Sequence, residues 1–410
     1  MILAALAAAS VLGAAAPGPC ATALCGAPAL APFFDALSVR SGFDGAPPVH
    51  ILQLGDSHTA GDAIAGAWRD ILQGRYRSGG RGVLPPGDPY YGFRPHGVHV
   101  TQSDGWRNEA IFGKAAPADP GAVFGISGFR LTSERPGASI TLTADPAEAF
   151  SRVVVCAVTG PGAGAYVLQI GGASERVALD GPPGVACRQV SEPQPETTAS
   201  ITAEGAAVTL LSWGTFAQGG VAVSNLGVVG AQLRHFARVD SGAMARELRA
   251  YAPDLIVLAF GTNEGFEGRL DETDYEWVLR AQITRLKRLS GGAPILVLGA
   301  PDAGADRPAL AHNVTPRAGD PAPPTQGGWF PPPALARVRE IQRRVAAEEG
   351  VAFWDWGARM GGPGTAEAWA SMTPPLMRRD RVHYTTEGGA EIARLLQQDL
   401  DAAATGGAAP

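Results

Sequence analysis

Five short, unbroken apolar runs constrain the fold of this chain more than any other feature: "VHILQLG" (49–55), "GVAVSNLG" (220–227), "DLIVLAFG" (254–261), "PILVLGAP" (294–301) and "VAFWDWG" (351–357). None alternates apolar with polar residues, and each is closed by glycine, proline or a polar residue. Such runs suit parallel strands buried on both faces. Helical spacing fills the intervals. "AIAGAWRDILQGRY" follows the first run, "SGAMARELRAYA" precedes the third, and "DYEWVLRAQITRLKRL" follows it. "PALARVREIQRRVAAEEG" precedes the fifth, and "TEGGAEIARLLQQDLDAA" closes the chain. Strand–helix alternation of this kind predicts an α/β fold on a parallel sheet with right-handed crossovers.

One interval breaks the pattern. From about residue 80 to 219 there is no helical spacing, only short β-type runs such as "ASITLTA", "RVVVCAVTG", "AYVLQIGG" and "AVTLLSW", separated by Gly, Pro and Asp turns. That spacing predicts a β-sandwich, inserted between the first and second strands of the α/β domain, where a surface connection tolerates it. A second irregular stretch, 301–333, is too long for an idle connection and is a candidate site wall. With 410 residues the chain has room for both units.

In an open parallel sheet, ligands bind beyond the carboxyl ends of the strands, so the residues there carry the chemistry. After the first run come Asp56, Ser57 and His58; after the second, "NLGVVGA" with Gly227 and Gly230; after the third, "GTNE" with Asn263 and Glu264; before the last helix, "DRVHYT" with Asp380 and His383. A serine hydroxyl becomes a useful nucleophile when an imidazole takes its proton, and a carboxylate fixes that imidazole's tautomer. Asp380 and His383, three apart, can face the same way and serve Ser57. The charge that builds on an attacked carbonyl needs fixed donors, which the Ser57 N–H, the Gly230 N–H and the Asn263 amide would supply. Taken singly, Gly-Asp-Ser is most often a helix cap, Asp-x-x-His a surface pair, "GTNE" a turn and "NLGVVG" close packing. Their joint order, each at its own strand end, favours the catalytic reading.

In that order, "GDSH", the glycine of "NLGVVG", the Asn of "GTNE" and the His of "DRVH" resemble the four blocks of the SGNH hydrolases, also called GDSL esterases. The resemblance covers residues about 48–75 and 220–400. It implies a flavodoxin-like three-layer fold with a five-stranded parallel sheet, Ser57 as nucleophile, Ser57, Gly230 and Asn263 as oxyanion donors, and Asp380–His383 completing the triad. His58 stands where leucine is usual and Glu264 where Asp is commoner. Asp56, His58, Glu264 and Trp329 are candidate substrate-lining residues. A narrower resemblance, carried by "GGRGVLPPG" (79–87), the β-rich interval and "FWDWGARMGG" (353–362), is to the peptidoglycan O-acetylesterases of Gram-negative bacteria. It implies a 6-O-acetyl muramic acid substrate, a periplasmic location, a carbohydrate-binding-like module, and no metal or other cofactor. The corresponding division is 1–34 signal peptide and leader, 35–80 and 220–403 hydrolase domain, 81–219 inserted module, and 404–410 disordered tail.

Composition narrows the function class. A net charge of −6 argues against nucleic acid, which demands concentrated positive charge. The first charged side chain is Asp35, and the preceding apolar stretch, broken by Pro17 and Pro19, is too short to span a membrane. It reads as the apolar part of a secretory signal, with small-residue cleavage candidates at Ala14 to Ala16, or else as an Ala-rich tail. Cys20 and Cys25 lie close together, and Cys156 and Cys187 could form a bridge within one segment. Disulfides would fit an exported protein; four unpaired thiols are the alternative.

His96 and His99 lack a carboxylate or Cys partner at ligand spacing. "GPGAGAY" (160–166) runs into a strand, not a helix, and so is a turn. Asn313 in "NVT" matters only in a eukaryotic secretory route, and no G-x-S-x-G elbow is present. Trp329, Trp354, Trp356 and Trp369 are core residues or a sugar groove. The rival functions are an O-acetyltransferase, an esterase of xylan or another polysaccharide, and a non-catalytic wall-binding protein; the oligomeric state is not legible.

Overall fold

The computed structural model describes residues 20, 23–43, 45–306 and 328–406. The cleavage candidates Ala14 to Ala16, Asn313, most of the 301–333 stretch and the last four residues lie outside that set.

Strands are numbered along the chain. One sheet holds β1 (Leu24–Cys25), β2 (Val49–Gly55), β14 (Val221–Gly227), β15 (Leu255–Ala259), β16 (Ile295–Leu298) and β17 (Ala352–Trp354), in the order β1-β17-β16-β15-β2-β14. The last five are mutually parallel, while β1 adds an antiparallel sixth strand at the edge beside β17. Residues 24–34, which the sequence assigns to the leader, therefore belong to the folded unit: Leu24 pairs with Trp354, and Leu24, Leu30 and Phe33 are buried.

The apolar runs are uninterrupted because both faces are covered. Leu52 and Leu54 of β2 enter one core with helices Ser241–Tyr251, Glu272–Ser290 and Leu335–Glu348. Val49 and Ile51 enter the other core with helices Ala31–Arg40, Ala63–Tyr76 and Thr386–Ala404. Trp354, Trp356 and Trp369 lie in this second core and are core residues, not groove residues.

Between β2 and β14 the chain builds a sandwich of two antiparallel sheets. One contains β10 (Ala173–Ala178), β9 (Ala165–Ile170), β12 (Thr198–Glu204), β7 (Ser139–Ala144) and β4 (Val98–Gln102); the other contains β11 (Gly184–Glu196), β8 (Phe150–Thr159), β13 (Val208–Phe216), β6 (Phe129–Ser133) and β5 (Trp106–Ala110), with β3 (Gly82–Leu84) pairing β13. Burial alternates along β7 and β12, which places one face in the sandwich core and the other toward solvent. Disulfides join Cys156 to Cys187, across β8 and β11, and Cys20 to Cys25.

The module is locked to the sheet by buried charge. Arg69 and Arg81, both fully buried, converge on the Asp62 carboxylate (3.3 and 2.9 Å) and on Asn225 Oδ1 (3.1 and 2.7 Å). Arg81 Nε also donates to the His96 carbonyl at 2.8 Å, and the His96 N–H to Asp62 at 2.8 Å. Burial pushes the Asp62 carboxyl up, but the two guanidiniums and that N–H outweigh it and hold the carboxyl below its ordinary 3.8. His96 is thus a tether of the module and His99 lies within β4.

Candidate active site

Counting only the parallel strands, the spatial order is second, first, third, fourth, fifth. The direction of connection reverses at the first strand, β2, and ligands of doubly wound sheets bind at such switch points. β2 ends at Gly55, and Ser57 opens a four-residue helix, Ser57–Ala60. The turn is pressed against β14: a Cβ on Gly227 would sit 2.2 Å from the Ala60 nitrogen and 2.5 Å from the Asp56 carbonyl oxygen. That contact explains a glycine in the second block. Asp56 caps the turn, its Oδ1 accepting the His58 N–H at 3.0 Å, and is 1% exposed. It is a structural residue and does not line a substrate cavity.

The fourth block folds into a tight turn closed by the Arg378 N–H donating to the His383 carbonyl at 2.7 Å. Asp380 Oδ1 accepts the N–H groups of Val382 and His383, both at 3.0 Å, and its Oδ2 lies 2.8 Å from His383 Nδ1. The remaining ring nitrogen, Nε2, is 2.9 Å from Ser57 Oγ. Partial burial pushes the Asp380 carboxyl up, but these hydrogen bonds outweigh it and keep it below its ordinary 3.8. An ionised carboxylate only accepts, so Nδ1 carries the proton and Nε2 is left to take one from the serine. Directly afterwards Thr385 caps the final helix, accepting the Gly388 N–H at 3.1 Å.

Gly230 follows β14 with φ +77°, a conformation that favours glycine. Among the described residues, no partner takes up the N–H of Ser57 or of Gly230. Asn263 Nδ2 donates to the Ala231 carbonyl at 2.8 Å, tying the third block to the loop that carries Gly230. Uncommitted N–H donors of this kind are what an oxyanion site for acyl transfer requires.

The family described as "GDSL-like Lipase/Acylhydrolase family" matches residues 199–390. The chain carries a GDSL-like acylhydrolase domain. It is an esterase. The match begins after Ser57 because the sandwich separates the nucleophile turn from the later blocks; the His383–Ser57 hydrogen bond joins them in space. No curated protein matches the chain. A solved peptidoglycan O-acetylesterase is 24% identical, covering 91% of this chain and 96% of that one, with a TM-score of 0.72. That likeness concerns the fold, and its coverage extends through the inserted β module. An acetyl xylan esterase (17% identical, 43% and 80% covered, TM-score 0.30) and a family two carbohydrate esterase from Cellvibrio japonicus (14%, 74% and 98%, 0.27) match weakly and carry no argument.

In this esterase, Ser57 and His383 open onto a cavity of about 420 Å³. Its lining includes Tyr90, Gly92 and Arg94 from the module loop and Arg378 and Tyr384 from the two ends of the fourth block. The sequence does not mark this module loop as part of the site. His58 borders the cavity, but Glu264 and Trp329 do not. Glu264 is 4% exposed and accepts the Leu233 N–H at 2.7 Å, and burial raises its carboxyl to about 7. Trp329 lies under the Arg381 guanidinium, 4.3 Å from its ring centroid. Glu264 is a lining candidate in sequence because it stands in the "GTNE" block, and Trp329 because it lies in the irregular 301–333 stretch; neither position reveals which way the side chain turns.

Proposed function

We propose that this esterase removes O-acetyl groups from carbohydrate, with O-acetylated peptidoglycan as substrate, through an acetyl-enzyme on Ser57. The observation that carries the mechanism is the unbroken Asp380–His383–Ser57 chain at 2.8 and 2.9 Å. Ser57 Oγ attacks the acetyl carbonyl carbon while its proton passes to His383 Nε2. The carbonyl electrons collect on oxygen, held by the Ser57 and Gly230 N–H groups and the Asn263 amide. Collapse expels the sugar oxygen, which takes the proton from His383. Water then attacks the acetyl carbonyl carbon while giving a proton to His383; the bond to Ser57 Oγ breaks, Oγ takes that proton from His383, and acetate leaves.

Hydrolysis is favoured over transfer to a second glycan because water reaches the acyl site: the side chains of His383 and Asp380 are 38% and 47% exposed. An anionic polymer is favoured over neutral xylan because Arg94 and Arg378 border the cavity with no ion-pair partner among the described residues. The two disulfides fit an exported, periplasmic protein, which free-thiol counting on material from fractionated cells would test.

The purified enzyme should release acetate from O-acetylated peptidoglycan, and Ser57→Ala should abolish release. Release that survives the substitution removes Ser57 from the mechanism. Arg94→Ala and Arg378→Ala should raise KM on peptidoglycan and leave acetylated xylan unaffected; equal effects on both polymers would contradict the anionic-substrate reading.

A further inference from the structure

His58 follows the nucleophile directly, yet its side chain is only 3% exposed. Its Nε2 lies 2.8 Å from the carbonyl oxygen of Val382. Val382 sits between Asp380 and His383, the two members of the triad supplied by the last turn. A carbonyl only accepts, so Nε2 is the donor. On the other side of the ring, Nδ1 is 3.3 Å from Asp56 Oδ1 at the end of β2 and 3.4 Å from Thr262 Oγ1 beyond β15. Three segments far apart in sequence therefore meet on one imidazole. The ring is boxed by Trp356, Tyr384 and His383, with centroids 5.5, 5.6 and 5.6 Å away.

The other ties of the 378–383 turn lead elsewhere. Its closing bond and the Asp380 caps are internal, Arg381 pairs with Glu367, and the Arg381 carbonyl accepts the Gly304 N–H at 2.8 Å. Apart from the reacting His383–Ser57 bond, the His58–Val382 bond is the hydrogen bond among the described residues that joins this turn to the nucleophile segment. We propose that His58 is a positioning residue, holding the Asp380–His383 turn at the distance from which His383 takes the serine proton. This rests on Ser57 being the nucleophile and His383 its base. A leucine here would fill much of the volume but could not donate to Val382.

The test compares His58→Leu with His58→Gln, whose terminal amide nitrogen reaches about as far as imidazole Nε2 and can donate. On O-acetylated peptidoglycan, His58→Leu should lower kcat about 100-fold, the scale on which an ångström of misplacement acts, with KM nearly unchanged. Fluorophosphonate labelling of Ser57 should slow in parallel, and His58→Gln should restore most of both rates. A leucine variant with wild-type kcat, equal losses in the two variants, or a raised KM with intact kcat would overturn the proposal. If the leucine variant does not fold, the folded wild-type enzyme, labelled with ¹⁵N-histidine, provides the test. An exchange-protected His58 Nε2–H supports the lock, and a freely exchanging one rejects it. Ser57→Ala is run alongside. Acetate release by that variant would defeat the nucleophile reading itself, whereas an inactive Ser57→Ala beside a fully active His58→Leu would defeat only the lock.

Discussion

In the proposed mechanism Asn263 carries two tasks on one side chain. One amide hydrogen is committed to the Ala231 carbonyl at 2.8 Å, which fixes the amide plane and leaves the second hydrogen for the developing oxyanion. Losing one such donor costs about 3–4 kcal/mol of transition-state stabilisation. Asn263→Ala should therefore lower kcat roughly 100- to 1,000-fold with little change in KM; a steady-state comparison on one acetyl ester checks it. The convergence of Ser57 with Asp380 and His383 was legible in the sequence because Ser57 stands in a short block directly after a strand and the Asp-x-x-His pair in another just before the last helix. The burial of Asp56, the inward turn of Glu264 and the partner of His58 were not. Each depends on a contact between segments that come together only in the folded sheet.

Among the elements, the parallel strands were the most legible, since burial on both faces leaves continuous apolar runs that no helix or exposed strand would tolerate. β1 escaped notice because two residues carry no period, and the Ala-, Pro- and Cys-rich stretch around it resembles a leader. The joint between helix Ala63–Tyr76, β14 and the module was equally hidden, since two arginines in sequence give no sign of being buried. Asp62 is the carboxylate to which both guanidiniums pair. Removing the charged partner of a buried pair costs about 3–5 kcal/mol, and asparagine tolerates the φ of +54° at this position. Asp62→Asn should destabilise the protein by about 3 kcal/mol in denaturant titrations at neutral pH. The sign with pH follows from the carboxyl lying below 3.8 when folded. Its contribution is complete above that value and is lost as pH falls through the lower folded value. The gap between wild type and variant should thus hold near neutrality and shrink in acid; a gap that widens in acid would contradict the assignment.

At the scale of the whole molecule, the sandwich is more than an appendage to the hydrolase core. Its loop supplies Tyr90 and Arg94 to the cavity that holds Ser57, and Tyr91 beside them is fully exposed. If the substrate is the proposed carbohydrate, an exposed aromatic beside the cavity can stack on one of its sugar rings. Its strands were legible from alternating short runs, but its docking on the α/β unit was not, because Val83, Ile126 and Phe216 look like ordinary sandwich residues in sequence. The proposed function turns on one covalent event, the acetylation of Ser57. The direct test is to quench the enzyme in acid while it turns over O-acetylated peptidoglycan and to map acetyl groups by peptide mass spectrometry. The account predicts acetyl on Ser57, absent from Ser57→Ala. Steady acetate release with Ser57 unmodified, or with acetyl carried on another residue, would contradict it.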